Sequence, residues 1–265
     1  MNKWLNLAVK AAIGAGNTIM EIYDQPVENW EVACKDDQSP LTLADRRAHE
    51  QIVEILQATP FPILSEEGVH ETYAIRRQWT TCWVVDPLDG TKEFIKRNGE
   101  FTVNIALVEH GTPILGVVYV PVTRVLYYGS LDDGAMKALV REGATDWTFQ
   151  ETLPLVRKEK RPFTIVASRT HLTPETENLI ECLREQYGEV QLVCSGSSLK
   201  ICQVAEGTAD IYPRLGPTME WDTAAGHALV LASGAEMVDA RTQQPLVYNK
   251  ENLHNPWFIV RRRSS

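Results

Sequence analysis

The amino-acid sequence predicts an α+β lobe over residues 1–155 joined to a layered α/β lobe over residues 156–265, the two packed as one compact unit. Two patterns carry this expectation. Residues 101–128 hold three β-rich runs separated by His110-Gly111 and by Pro121, as in an antiparallel meander, whereas residues beyond 163 alternate strand-like with helix-like segments. A third observation joins the halves: no repeat, linker or low-complexity stretch interrupts the 265 residues, and their 44% apolar content suffices for a large core. The one sustained interior charge run, at 157–161, marks the expected boundary.

Each element has a local reason. Leu5, Val9, Ala12, Gly16, Ile19 and Tyr23 recur at helical spacing beside Lys3, Lys10 and Glu21, which describes an amphipathic helix and not a signal peptide. Gly14-x-Gly16 lies within that helix, where close packing explains it better than a dinucleotide loop does. Thr42 precedes a second helix over 43–56, and buried strands are expected at 61–64 and 79–85. In the second half, strands are expected at 164–167, 190–194 and 209–212, and near 236–238 and 258–260. Helices between them cover 174–187, 197–206 and 222–232, stopped by Gly188, Gly207 and Ser233-Gly234.

Twenty-six Lys and Arg against 35 Asp and Glu give a net charge of -9, which argues against a broad nucleic-acid or anionic-membrane surface. A polyanionic substrate would need a local cation to draw it in. The longest apolar run, 114–122, falls short of the roughly 18 residues that span a bilayer, so integral membrane insertion is not expected. The five cysteines (Cys34, Cys82, Cys182, Cys194, Cys202) are odd in number and contain no Cys-x-x-Cys, as in a reduced, cytoplasmic protein with buried free thiols. Arg261-Arg262-Arg263 reads as a frayed basic terminus; contact with anionic lipid there would make the protein peripheral on the cytoplasmic side of the inner membrane. The sequence specifies no oligomeric state.

Chemistry concentrates in carboxylates. Trp83-Val84-Val85-Asp86-Pro87-Leu88-Asp89-Gly90-Thr91 runs a buried strand straight into two acids, and Pro87 and Gly90 predict a tight turn between them. Such a turn can aim Asp86, Asp89 and the Leu88 carbonyl at one point, the hard oxygen donors that Mg²⁺ prefers; alone, it could simply reverse the chain. The pattern recurs, since Glu66-Glu67 follow an apolar strand and Asp222 opens a helix, where it could equally be an N-cap. Carboxylates gathered beside strongly apolar segments carry a cost that cations would remove. Thr42 and Asp45 read as a capping-box-like pair. Ser195-Gly196-Ser197-Ser198 reads either as a plain turn with Ser197 as N-cap or as a phosphate cradle with Lys200 one turn in, and His227 reads as a packed helix residue.

The extended motifs are more specific. Asp-Pro-Leu-Asp-Gly-Thr-Lys-Glu-Phe at 86–94, Ser-Glu-Glu at 65–67 and Trp-Asp-Thr-Ala-Ala-Gly at 221–226 resemble the lithium-sensitive, Mg²⁺-dependent phosphatase superfamily that includes inositol monophosphatase. The run 91–107, Ser-Gly-Ser-Ser-Leu-Lys at 195–200 and Tyr-Pro-Arg-Leu-Gly-Pro-Thr at 212–218 look like its bacterial branch of 3'(2'),5'-bisphosphate nucleotidases, over nearly the whole chain. The resemblance implies a layered α/β/α/β/α, inositol-monophosphatase-like fold and an Mg²⁺ cofactor of two or three ions. It implies that Glu66, Asp86 and the Leu88 carbonyl hold one ion and that Asp86, Asp89 and Asp222 hold a second. A third, weaker ion would sit near Glu66, with Glu67 beside the ligands or positioning water. Thr91, paired with Asp45, would orient and deprotonate that water. Gly90, Thr91 and Asp222 would adjoin the substrate, Ser197, Lys200 and Arg214 would hold its non-scissile 5'-phosphate, and His171 would meet the nucleoside.

The reaction so implied removes the 3'-phosphate of 3'-phosphoadenosine 5'-phosphate, giving AMP and phosphate, with sulfated or 2'-phosphorylated relatives as further substrates and a place in sulfate assimilation and nucleotide recycling. The partner is thus a small-molecule substrate and not a nucleic acid. An inositol or sugar monophosphatase is the alternative, against which Lys92-Glu93-Phe94 and the 195–200 run argue. A non-catalytic, metal-dependent phospholigand-binding protein is a third reading, disfavoured by the presence of both Thr91 and Asp45.

Overall fold

The computed structural model describes residues 2–34, 40–144, 146–155, 161–167 and 173–263. Helix α1 (Lys3–Tyr23) is capped by the Asn2 side chain, which accepts from the Trp4 amide. The short strands β1 (Ala33–Cys34) and β2 (Pro40–Leu41) pair antiparallel ahead of α2 (Leu43–Leu56), whose N-cap is Thr42. There follow β3 (Ile63–Ser65), α3 (Tyr73–Arg76), β4 (Thr81–Asp89) and α4 (Thr91–Ile95). The expected meander appears as β5 (Thr102–Glu109), β6 (Thr112–Val120) and β7 (Val125–Ser130), and continues through β8 (Gly134–Val140) and β9 (Trp147–Thr152). Strands β3 to β9 form one seven-stranded sheet in chain order.

The second half alternates as expected: β10 (Phe163–Ala167), α5 (Pro174–Tyr187), β11 (Val190–Cys194), α6 (Leu199–Glu206), β12 (Ile211–Arg214), α7 (Glu220–Ala232), β13 (Ala235–Asp239) and β14 (Phe258–Arg262). They build a five-stranded sheet of order β11-β10-β12-β14-β13, with β10 parallel to β11 and β12, and β14 antiparallel to both its neighbours. The run 261–263 is therefore not a frayed terminus: Arg261 and Arg262 belong to an interior strand, and Arg261 and Arg263 pair with Glu236. The boundary expected at 157–161 falls almost wholly outside the described residues. Among the described residues no helix is long and apolar enough to cross a membrane.

Three apolar cores stack these elements in layers. On β4, β5 and β6, Trp83, Val85, Val103, Ile105, Leu107, Val117 and Tyr119 join a core with α1 and α2. Their alternates Cys82, Val84, Ala106, Val108, Val118 and Val120 face the other way, into a core with α6, α7 and the second sheet. Both faces of these strands are buried, so they read as continuous apolar runs instead of alternating ones. Ile165, Ile211, Ile180 and Leu183 then join α5 to the far side of the second sheet. The order helix, sheet, helix, sheet, helix is the expected α/β/α/β/α architecture. Two glycines permit the closest approaches: a Cβ on Gly16 would lie 2.3 Å from the Tyr119 ring, and one on Gly116 would lie 2.2 Å from the Ala225 carbonyl oxygen. The close packing expected at Gly16 is thus present. Of the cysteines, Cys82 and Cys202 are buried and free as expected, but Cys182 is exposed and Cys194 half-buried, because α5 and edge strand β11 have one face in solvent.

Candidate active site

The segment 86–89 is not the tight turn its Pro and Gly predict. It continues β4, and the register against β5 places Asp86 opposite Asn104 and Asp89 opposite Thr102. Three steps on one strand match two on the other, which defines a β-bulge. The bulge decides the chemistry. In a regular strand, residues three apart point to opposite faces, whereas here the extra residue returns Asp89 to the face of Asp86 while Leu88 enters the α1–α2 core. That shared face looks toward α6 and α7.

Two further acids arrive from other elements. The Glu66 amide donates to the Val85 carbonyl at 3.0 Å, extending the parallel β3–β4 pairing to the site. Asp222 sits in the first turn of α7, which begins earlier than the sequence pattern indicates; the N-cap is Met219, whose amide donates to Asp222 Oδ2 at 2.8 Å. Carboxylate oxygens of Glu66, Asp86 and Asp222 lie within 4.8 Å of one another. Burial, reinforced by the Glu66, Asp89, Asp222 and Asp45 charges, holds the Asp86 carboxyl well above the usual carboxylate range. Burial and then Asp89 push Asp222 up to about 8. Hard oxygen donors crowded until they resist ionising are what a small divalent cation relieves, so these residues fit Mg²⁺.

Asp89 lines the same cleft, but its Oδ2 is engaged by Ser198 Oγ at 2.8 Å and by Asn104 Nδ2 at 3.4 Å. Ser198 also accepts from Asn104 Nδ2 at 2.9 Å and lies 2.7 Å from the Asp222 carbonyl oxygen. This serine, the N-cap of α6, therefore links the bulge to α7; sequence reasoning missed it, because its partners are 24 and 109 residues away. Ser197, expected as the N-cap, has a φ of 41° and lies 3.1 Å from Thr102 Oγ1. Glu67 is half-buried and lines neither half of the cleft.

Asp45 makes the hydrogen bonds of both pairings considered for it. Its Oδ2 accepts from the Thr42 amide at 2.7 Å and from Thr42 Oγ1 at 2.5 Å, completing a capping box, while its Oδ1 accepts from Thr91 Oγ1 at 3.0 Å. Thr91 follows Gly90, whose φ of 97° suits glycine and turns the chain from β4 into α4.

The cleft has two adjoining halves. One, of about 390 Å³, is lined by Glu66, Asp86, Leu88, Gly90, Thr91 and Asp222. The other, of about 360 Å³, is lined by Lys96, Glu100, Ser197, Lys200 and Arg214, and the two share Asp89, Lys92, Glu93, Thr218 and Asp222. Arg214 Nη2 donates to the Pro217 carbonyl at 2.9 Å, but its Nε is buried with no partner among the described residues. Lys200 Nζ donates to the Ser197 and Ser195 carbonyls at 2.7 and 3.2 Å, and burial brings its pKa down to about 8. The Gly196 amide, which a phosphate cradle would offer, donates to Glu100 Oε2 at 2.8 Å. His171 lies outside the described residues.

This arrangement has known relatives. The inositol monophosphatase family matches residues 1–257. The 3'(2'),5'-bisphosphate nucleotidase CysQ of Salmonella typhimurium is 46% identical over 258 residues, covering 97% of this chain and 98% of the relative. Its counterpart in Escherichia coli K12 is 46% identical over 259 residues, with the same coverage. The crystal structure of CysQ from Bacteroides thetaiotaomicron, a bacterial member of the inositol monophosphatase family, aligns with a TM-score of 0.89 at 54% identity, covering 98% of this chain and 97% of that one. An inositol monophosphatase from Thermotoga maritima, at 23% identity, shares the fold with a TM-score of 0.73. A family match over nearly the full length, with relatives this similar, means that the chain belongs to the inositol monophosphatase family.

Proposed function

We propose that the protein is a Mg²⁺-dependent 3'(2'),5'-bisphosphate nucleotidase that converts 3'-phosphoadenosine 5'-phosphate to AMP and phosphate in the cytoplasm. The observation that carries this reading is the two-part cleft: an acidic trio within 4.8 Å in one half, and Lys96, Lys200 and Arg214 in the other, with Lys92 between them. A substrate with two phosphates can engage both halves, whereas a monophosphate uses only one. The names of relatives 46% identical over almost their full length support the same choice.

Glu66, Asp86 and Asp222 would hold Mg²⁺, with the Leu88 carbonyl and Asp89 at its margin. When bound there, Mg²⁺ supplies charge to offset the crowded carboxylates, acidifies water and steadies negative charge developing on a leaving oxygen. The chain's own acid–base work falls to Thr91 and Asp45. Thr91 donates its hydroxyl proton to Asp45 Oδ1, so its lone pairs face outward and can take a proton from an attacking water as its own passes to Asp45. The Thr42 bonds to Oδ2 keep that carboxylate from rotating. The Arg214 guanidinium, the Ser197 hydroxyl and the remaining N–H of Lys200 would receive the non-scissile phosphate, and Gly90 leaves room beside the reacting one.

The test is phosphate release with Mg²⁺ from 3'-phosphoadenosine 5'-phosphate, inositol 1-phosphate and fructose 1,6-bisphosphate in parallel. Strong preference for the nucleotide is expected. Equal rates on all three would overturn the assignment of the pocket, and release from none would favour a binding protein.

A further inference from the structure

Asp222 reaches the cleft from the first turn of α7, so whatever fixes that turn fixes the carboxylate. Two residues earlier, Glu220 is completely buried. Its Oε2 accepts from the Asn249 amide at 2.5 Å, and its Oε1 accepts from the Lys250 amide at 3.0 Å and from Lys250 Nζ at 2.6 Å. Asn249 has a φ of 60°, in the left-handed region that Asn tolerates. Successive amides then point to one side and form a nest for an anion, filled here by the chain's own carboxylate.

The same loop is anchored on its other side. Arg76, buried at the end of α3, donates through Nη1 to Asn249 Oδ1 at 2.9 Å and to the Lys250 carbonyl at 3.0 Å, while Asn249 Nδ2 donates to the Arg76 carbonyl at 2.7 Å. Arg76 belongs to the segment that leads from Glu66 to β4. One position earlier in the loop, the Tyr248 hydroxyl meets Thr223 Oγ1 at 3.3 Å and His227 Nδ1 at 3.0 Å, both on α7. A single loop thereby ties the helix that carries Asp222 to the segment that follows Glu66, two acids from separate elements that meet only in the cleft.

We propose that Glu220, seated in the Asn249–Lys250 nest, is a positioning residue that holds Asp222 in the geometry that binds Mg²⁺; this rests on the metal reading above. Buried ion pairs are weak sources of stability compared with apolar packing. A completely buried carboxylate, paired with a half-buried lysine and two backbone amides two residues from a metal-facing acid, is better explained by where it holds the helix than by how much it stabilises the fold.

The experiment uses Lys250→Met, which keeps the stem and both nest amides, together with Glu220→Gln. Two readouts are followed over graded Mg²⁺: the rise in unfolding temperature, and the rate of phosphate release. Lys250→Met is expected to raise the half-saturating Mg²⁺ concentration in both by about tenfold, the lower end of what losing an outer partner of a metal ligand costs, with the rate at saturation within about twofold of wild type. Glu220→Gln should shift half-saturation further the same way, and if it does not fold, Lys250→Met decides alone. Unchanged half-saturation with only a lower unfolding temperature would overturn the proposal, as would a reduced saturated rate at unchanged half-saturation. If Mg²⁺ does not raise the unfolding temperature of the wild-type protein, the metal reading itself fails instead.

Discussion

Asp45→Asn is the most informative single change, because each oxygen of Asp45 has its own partner: Oδ2 faces the Thr42 amide and hydroxyl, and Oδ1 faces the Thr91 hydroxyl. Asparagine offers one oxygen and one NH₂ to these two places. The Thr42 amide can only donate, so the oxygen goes there and the cap survives. The NH₂ then faces Thr91 and reverses that hydrogen bond, leaving the hydroxyl no acceptor for its proton. Losing a general base costs about 10²–10⁴ in rate, roughly 3–5 kcal/mol of barrier. Stability should fall by only about 1 kcal/mol, the difference between a charge-assisted and a neutral hydrogen bond. Asp45→Ala should lose the same rate and also the cap, leaving the buried Thr42 amide without its acceptor, for about 2–4 kcal/mol in total. Thermal unfolding and phosphate release on the two variants give the comparison. An Asn variant that turns over at nearly the wild-type rate would refute the relay, and one as unstable as the Ala variant would refute the division of labour between the two oxygens.

Two further outcomes follow from buried titrating groups. Burial lowers the His227 pKa from 6.5 to about 3; the folded protein therefore keeps it neutral while the unfolded chain gains a proton below pH 6.5, so the stability it permits above that pH is lost as pH falls toward 3. By linkage the loss is about 2 kcal/mol at roughly pH 5, and the difference in denaturant stability between wild type and His227→Gln should shrink by about that amount between neutral pH and pH 5; a constant difference would show that His227 does not drive it. Lys200→Ala should lower kcat/KM for the bisphosphate by about one to two decades, the worth of a charge-assisted phosphate contact, while hydrolysis of a 3'-monophosphate nucleoside changes little. Parallel loss on both substrates would mean that Lys200 serves only the Ser195 and Ser197 carbonyls.

What the sequence reveals and what it hides have a common physical basis. Helices α2 and α5 begin and end where the pattern places them, because Thr42, Thr173 with Pro174, and Gly188 are local signals that act through the nearest amides and carbonyls. The same locality misleads at 86–89. Pro and Gly are turn residues by propensity, but the backbone there is settled by pairing with Thr102 and Asn104, so a turn becomes a bulge. Strand β14 is another case: three arginines look terminal until Glu236 and two neighbouring strands are present to receive them. Acid types and spacing thus point to the candidate metal ligands, while Ser198, Asn104 and Glu220, whose partners lie on other elements, become visible only in the fold.

The layering also explains why the acids lie where they do. Strands β4 and β5 are buried on both faces, so neither has an open edge or face along its length on which to display a carboxylate. Charge can enter only where a strand runs out of the sandwich, and Glu66, Asp86 and Asp89 all lie at the ends of β3 and β4. At that same end α6 and α7 present their N-termini, whose positive dipole ends favour negative charge. The arrangement still leaves Asp86 and Asp222 reluctant to ionise, so helix dipoles alone do not balance the cluster. A chain of net charge -9 nevertheless gathers Lys96, Lys200 and Arg214 in the adjoining half, among Glu93 and Glu100, and so sets cationic side chains beside the acidic trio within one cleft. A ligand with one anionic group for a cation held by the acids and another for these basic side chains would engage both, and a neutral or singly charged ligand at most one.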